Sequence, residues 1–224
     1  THLEKDIFQN LTSLRVLHLW GNKLQNLSRE VFKGLSNLEY LELSSNGFRT
    51  LPGDIFAEIP KMKELSMYGN NFISLPEGLF SFTPLLRKIK LYDNRDLLQD
   101  IPPGLMSNLT SMEEAYLNNC GFNYLPEDTF WGTPDLKNLS LQENALETLD
   151  ENLFRDTVNM ESLDLSYNQL EELPDKVFRN LRNLKILKLD HNRLKNIPSG
   201  FFSGTPKLVR LNMENNQLKH VERG

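Results

Sequence analysis

Cysteine is almost missing: Cys120 is alone among 224 residues, which excludes an internal disulfide and leaves cysteine usage uninformative about redox compartment. Positive charge is not in excess, with 25 Lys and Arg against 30 Asp and Glu and a net charge of -5, so the sequence offers no electrostatic footprint for nucleic-acid phosphates or anionic lipid. No stretch approaches the ~20 apolar residues of a helix that crosses a bilayer, and Thr1 to Asp6 lack the apolar core of a signal peptide. With only 12 Gly and 11 Pro, collagen and low-complexity disorder are excluded as well. What the chain has in abundance is leucine (42) and asparagine (24), a bias that points to internal repetition.

Aligned on Leu-x-x-Leu-x-Leu-x-x-Asn, the sequence falls into a single register. Asn22, Asn46, Asn70 and Asn94 are 24 residues apart, as are Asn144, Asn168, Asn192 and Asn216. Cys120 fills the missing rung between the two sets. A second column runs Phe8, Phe32, Phe56, Phe80, Met106, Phe130, Phe154, Phe178 and Phe202, again at 24 except for a step of 26 before Met106. The period predicts about nine leucine-rich repeats, with strand segments beginning at Leu14, Leu38, Met62, Leu86, Met112, Leu136, Met160, Leu184 and Leu208. Leu-x-Leu has the period of a strand, so Leu17 and Leu19 face inward while Val16, His18 and Trp20 face the opposite side. Pro52, Pro76, Pro102, Pro126, Pro174 and Pro198 end pairing and open the outer turn.

The expected fold is an α/β solenoid, a leucine-rich repeat horseshoe with a parallel β-sheet on its concave face, forming one domain over residues 1–224. Strands ~4.8 Å apart pack more closely than the convex segments, so the stack curves with its sheet inside. Each ladder asparagine is expected to donate to a loop carbonyl and accept from a neighbouring N–H, groups that would cost ~1–3 kcal/mol each if left unpaired. Leu3 and Val221 occupy equivalent places in incomplete units, which leads to the expectation of a fragment of a longer chain without its terminal caps.

Four Asn-x-Ser/Thr sequons, at Asn10, Asn26, Asn108 and Asn138, are candidate glycosylation sites. Asn10 and Asn108 belong to the convex side, whereas Asn138 borders the concave strands, where a glycan would shield repeat six. The variable residues of the concave face are the natural recognition surface. Trp20, Tyr40, Tyr68, Tyr92 and Tyr116 are expected to place an exposed aromatic on each of the first five strands, and exposed Trp and Tyr are typical interface anchors. Glu64, Lys88 and Lys90 share that surface, and together these eight residues are the candidate ligand-binding site. Charges in one column (Glu64, Lys88, Glu114) and another (Asp164, Lys188) alternate as lateral pairs would. The extra residues near Arg95 and Asp96 predict a bulge that is either a contact loop or neutral slack.

No metalloprotease, nucleophile-elbow or phosphate-loop motif occurs, and the four histidines (His2, His18, His191, His220) lack metal-ligand spacing along the chain. Ser166 and Asp164 beside Asp190 and His191 are the nearest approach to a catalytic group. No enzymatic activity, cofactor or metal is expected, and Cys120, on the ladder, reads as a buried inert thiol.

The repeat is similar to the 24-residue class of extracellular receptors and matrix proteins. More narrowly, the chain resembles the ectodomain of insect Toll receptors, in which a unit ending SLPEGLF leads into a repeat lengthened by two residues, here IKLYDNRDLLQDIPPGLM, and then into one without the ladder asparagine; this succession runs from Phe72 to Cys120. The resemblance implies the ligand-binding part of a single-pass innate-immunity or developmental receptor, extracellular and membrane-anchored, which binds a cystine-knot cytokine dimer of the Spätzle type and dimerises on binding it. Nucleic acid is not the implied ligand for a chain this acidic. A leucine-rich adhesion or matrix protein bound to a structural partner is the alternative.

Overall fold

The computed structural model describes residues 3–94 and 101–221; the expected bulge at Arg95 and Asp96 lies outside them. Nine strands, β1 (Val16–His18), β2 (Tyr40–Glu42), β3 (Glu64–Ser66), β4 (Lys88–Lys90), β5 (Glu114–Tyr116), β6 (Asn138–Ser140), β7 (Ser162–Asp164), β8 (Ile186–Lys188) and β10 (Arg210–Asn212), form one parallel sheet in chain order. A two-stranded parallel sheet joins β9 (Asn196–Ile197) to β11 (His220–Val221). Each strand starts two residues later than the expected segment. The leading aliphatics, such as Leu38 and Leu184, are buried ahead of the pairing rather than within it.

Register follows the repeat. Leu17 pairs with Leu41, Leu65 with Ile89, Leu139 with Leu163 and Leu187 with Leu211, so the central residue of every strand points into the same core column. The two-residue step is absorbed between β4 and β5, where Ile89 pairs with Ala115. Behind the sheet, Phe32, Phe56, Phe80, Phe130, Phe154 and Phe178 are fully buried, and ring centroids 6.2–6.3 Å apart join Phe130, Phe154 and Phe178 in a continuous stack. Truncating one such ring would cost ~3–5 kcal/mol.

The convex side consists of turns and one short 3-10 helix, Phe201–Gly204, with no α-helix among the described residues. All six expected prolines open such a turn. The carbonyl of Pro52 accepts from the Ile55 N–H at 3.1 Å, and that of Pro174 from the Val177 N–H at 3.0 Å. Because proline fixes φ and has no N–H, it starts this turn without losing a ladder bond.

The asparagine ladder makes the expected bonds and reaches further than expected. Asn168 donates to the Leu165 carbonyl of its own rung at 3.1 Å and to Leu141 of the preceding rung at 3.0 Å, while its Oδ1 accepts from the Leu146 N–H at 3.0 Å. From Asn46 onward each ladder amide therefore fastens two successive repeats, whereas Asn22 bonds the Leu19 and Trp20 carbonyls of its own rung. At Cys120 the thiol donates to the Leu91 carbonyl at 3.3 Å, and burial pushes its pKa up to about 12.

Just before each ladder position the backbone turns left-handed. Gly21 and Gly69 do so with φ of 71° and 62°, and Ser45, Asp93, Asn119, Glu143, Tyr167, His191 and Asn215 do so at φ of 52–57°. This bend ends the concave strand while its N–H still pairs sideways, as from Tyr167 to the Asp190 carbonyl at 2.9 Å. Side chains in this column therefore stand at the sheet edge, aimed differently from those of the strands.

Candidate functional site

The concave face is a grid of three outward columns, two on the strands and one two residues past their ends that holds Trp20, Tyr68 and Tyr92, bordered by the left-handed column. Over the first five rungs the grid is aromatic and charged. Trp20 is 57% exposed, whereas Tyr40, Tyr68, Tyr92 and Tyr116 are half-buried, less open than the sequence implies. Lateral contact is the reason. Tyr68 and Tyr92 stack face to face at 4.6 Å with planes 5° apart. The Tyr40 hydroxyl donates to Glu42 at 3.0 Å and its ring lies 5.1 Å from His18. The Tyr116 hydroxyl donates to Glu114 at 2.9 Å.

Partial burial raises the phenol pKa of Tyr40, Tyr92 and Tyr116, which keeps them neutral and able to donate. Lys88 bonds Glu114 at 2.6 Å and lies 5.5 Å from the Tyr116 ring centroid. That bond raises the Lys88 pKa and lowers that of Glu114. Glu42, only 7% exposed, also accepts from the Ser44 N–H at 3.0 Å. Among the described residues, Glu64 and Lys90 make no direct ion pair, although Glu64 lies in register beside Lys88 and Lys90 acts at longer range on Glu114. The eight candidate residues thus occupy one continuous patch over β1 to β5.

Beyond it the character changes. Short polar side chains on β6 and β7 leave a depression of about 330 Å³, lined by Asn118, Asn138, Ser140, Gln142 and Ser162 between Tyr116 and Asp164. Asp164 is held by Lys188 at 2.8 Å and by the Ser166 hydroxyl at 2.6 Å. Sequon residue Asn138 stands inside this depression, half-buried, while Asn10, Asn26 and Asn108 are exposed.

The catalytic arrangement considered from sequence takes another form. The Ser166 hydroxyl serves Asp164, whereas His191 contacts Asp190 at 3.1 Å and Asn215 at 3.0 Å and stacks on Tyr167 at 4.0 Å. These groups are two separate ties rather than a nucleophile beside its base. Asp190, His191 and Glu214 bring one ligand-type atom each to within 4.8 Å of one another, a cluster that histidine spacing along the chain does not reveal. Its signal is the period: Glu214 lies 24 residues after Asp190 and therefore beside it.

A family model described as leucine rich repeat matches residues 1–48, 12–72, 111–170 and 158–218. The chain belongs to the leucine-rich repeat family. Among solved structures, this leucine-rich repeat solenoid is similar to the Toll chain of the Drosophila Toll–Spätzle complex, with 33% identity and a TM-score of 0.91 over 96% of this chain and 30% of that one. It is similar to the TLR13 chain of a TLR13–ssRNA13 complex, at 27% identity and a TM-score of 0.88 over 98% of this chain and 31% of that one. An LRR protein of Leptospira interrogans matches at 31% identity and a TM-score of 0.83, over 96% of this chain and 52% of that one. The chain therefore spans about a third of the Toll-type chains and about half of the bacterial one. A comparison with curated proteins gave no significant match. Together the repeats and the Toll and TLR13 structures support a leucine-rich repeat ectodomain of the Toll-like receptor type. No helix among the described residues is long and apolar enough to cross a membrane.

Proposed function

We propose that this solenoid is the ligand-recognition part of a Toll-type receptor and that it binds a cystine-knot cytokine dimer on the concave strands of repeats one to five. The observation that carries this reading is the patch itself: Trp20, the Tyr68–Tyr92 stack, and the unpaired charges of Glu64 and Lys90 form one continuous surface. Pre-stacked rings lose little side-chain freedom on binding, which suits them as protein-interface anchors. The similarity to a Toll chain in complex with Spätzle points to the same class of partner. A net charge of -5 favours a protein ligand over the single-stranded RNA of the TLR13 complex. In this reading the parent receptor is extracellular, glycosylated at sequons of this chain, anchored by a single membrane span, and dimerised by its ligand.

The test is binding of the glycosylated parent ectodomain to a purified cystine-knot cytokine dimer, with and without the Tyr68→Ala, Tyr92→Ala pair. Tight binding that weakens by ~2 kcal/mol or more, at unchanged melting temperature, is the expected result. Binding unaffected by the pair discards the site, and absence of binding moves the reading to a leucine-rich adhesion or matrix protein.

A further inference from the structure

The far end of the concave face carries an arrangement that ligand recognition over repeats one to five does not use. In-register stacking sets Asp190 and Glu214 on adjacent rungs, about 4.8 Å apart in backbone terms. Like charges directly opposite one another destabilise a sheet unless something positive lies between them. The nearby Lys188 ammonium is bonded to Asp164.

Asp190 is only 6% exposed. Its Oδ2 contacts His191 Nδ1 at 3.1 Å, while its Oδ1 is buried and has no hydrogen-bond partner among the described residues. A buried carboxylate oxygen without a donor is costly, and its usual companion is an ordered water or an ion. His191 is itself held rigid. Its backbone is left-handed at φ 52°, its ring lies flat on Tyr167 at 4.0 Å and 9°, and Asn215 meets Nε2 at 3.0 Å. The ring is thereby oriented with Nδ1 toward Asp190, and one ring nitrogen lies within 4.8 Å of carboxylate oxygens of Asp190 and Glu214.

We propose that Asp190, His191 and Glu214 form a three-ligand site for a divalent transition ion of the zinc class, on the concave edge of repeats eight and nine. One imidazole nitrogen with two carboxylates suits zinc, whereas Ca2+ and Mg2+ favour all-oxygen shells. Metal–ligand bonds of ~2.0–2.2 Å require ligand atoms roughly 3.3–4.2 Å apart. The three ligand atoms lie within 4.8 Å of one another, and rotation of the exposed Glu214 side chain, away from its 3.4 Å contact with the Asn212 amide, brings them to that spacing. On binding, His191 changes tautomer: Nδ1 gives its proton to solvent and takes the metal while Nε2 takes up a proton from solvent, so the imidazole stays neutral. Nε2–H then donates to the Asn215 amide oxygen once that amide is turned round, an exchange of O and N that fixes the imidazole as outer partners of ligating histidines do. A fourth coordination position stays open to water beside Tyr167.

The test is calorimetric titration of the chelator-treated, tag-free chain with ZnCl2, with CaCl2 and MgCl2 in parallel, and with Co2+ absorption as the readout of coordination. Expected are about one Zn2+ per chain, a higher melting temperature, and a Co2+ visible band of a four-coordinate site. His191→Ala and Glu214→Gln should each weaken Zn2+ binding by more than tenfold, and Asn215→Ala by about tenfold, while His18→Ala leaves it unchanged. Since Glu214 is exposed, its variant is expected to fold and keeps the comparison valid. Absence of Zn2+ uptake, equal uptake by the His191 and Glu214 variants, or Ca2+ binding as tight as Zn2+ would each overturn the proposal.

Discussion

The two halves of the concave face share one backbone and differ almost wholly in side chains. Rungs one to five carry Trp20 and the laterally packed tyrosines, with Glu64 and Lys90 left unpaired. Rungs six to nine carry a polar depression around Asn138 and Ser162, followed by the Lys188–Asp164 pair and the Asp190, His191 and Glu214 cluster. Beneath both runs the same column of buried leucines and phenylalanines. Folding is therefore a property of the period, and recognition a property of what departs from it. A repeat can change its outward residues at lower cost than its inward ones, because outward contacts such as Lys88 with Glu114 lie on a partly exposed face whereas the inward residues form the shared buried core.

The largest effect should erase the distinction between the halves. Phe56→Ala under rung three and Phe154→Ala under rung seven should each cost ~3–5 kcal/mol and lower a single unfolding transition in a denaturant titration. A two-step curve in which only one half melts early would show that the halves fold separately. Next comes the ladder. Asn168→Ala should cost ~1–3 kcal/mol, because it leaves the buried Leu146 N–H without its acceptor, while the Leu141 and Leu165 carbonyls each lose one of two donors and keep Asn144 and Asn192. A chemical probe of the same ladder is Cys120, whose buried thiol, with its pKa pushed up to about 12, should resist iodoacetamide at pH 8 in the folded chain and react once urea unfolds it.

The smallest effect separates electrostatics from packing in the aromatic half. Lys88→Met should cost ~0.2–1 kcal/mol near neutral pH, since it breaks a cross-strand pair on a partly exposed face. The Glu114 pKa is lowered in the fold, so its share is present above the ordinary carboxylate value of ~4.3 and lost as pH falls through the depressed folded value. The Lys88 pKa is raised, so its share is present below ~10.4 and lost as pH rises through the folded value. The gap in melting temperature between wild type and variant should close at both extremes of a pH series; a gap that stays constant would assign the cost to lost packing of the lysine stem instead.

Much of this architecture was legible in the sequence because a fixed period turns one-dimensional spacing into lateral contact. Asn46, Asn70 and Asn168 announce both their own repeat and the bond they make. Less legible was the left-handed column. Gly21, Gly69, Asp93, Asn119 and Asn215 are turn-forming types and carried the signal, but Glu143, Tyr167 and His191 adopt the same φ without belonging to that class. Tertiary pairing along the sheet outweighs local preference there. Exposure of the tyrosines was overestimated for a related reason, since alternation tells which face a side chain is on but not how far its neighbour covers it.

The sequence by itself determined the repeat, the inward and outward sides of each strand, the ladder and the site of every proline turn, because each of these depends on contacts whose offsets are constant. Only the tertiary structure decided which outward residues meet: Tyr68 on Tyr92, His191 on Tyr167, Glu214 beside Asp190. Those meetings share the 24-residue offset that makes two residues neighbours, but whether the side chains touch depends on rotamers, on the left-handed bend and on the width of each rung, which the offset does not carry.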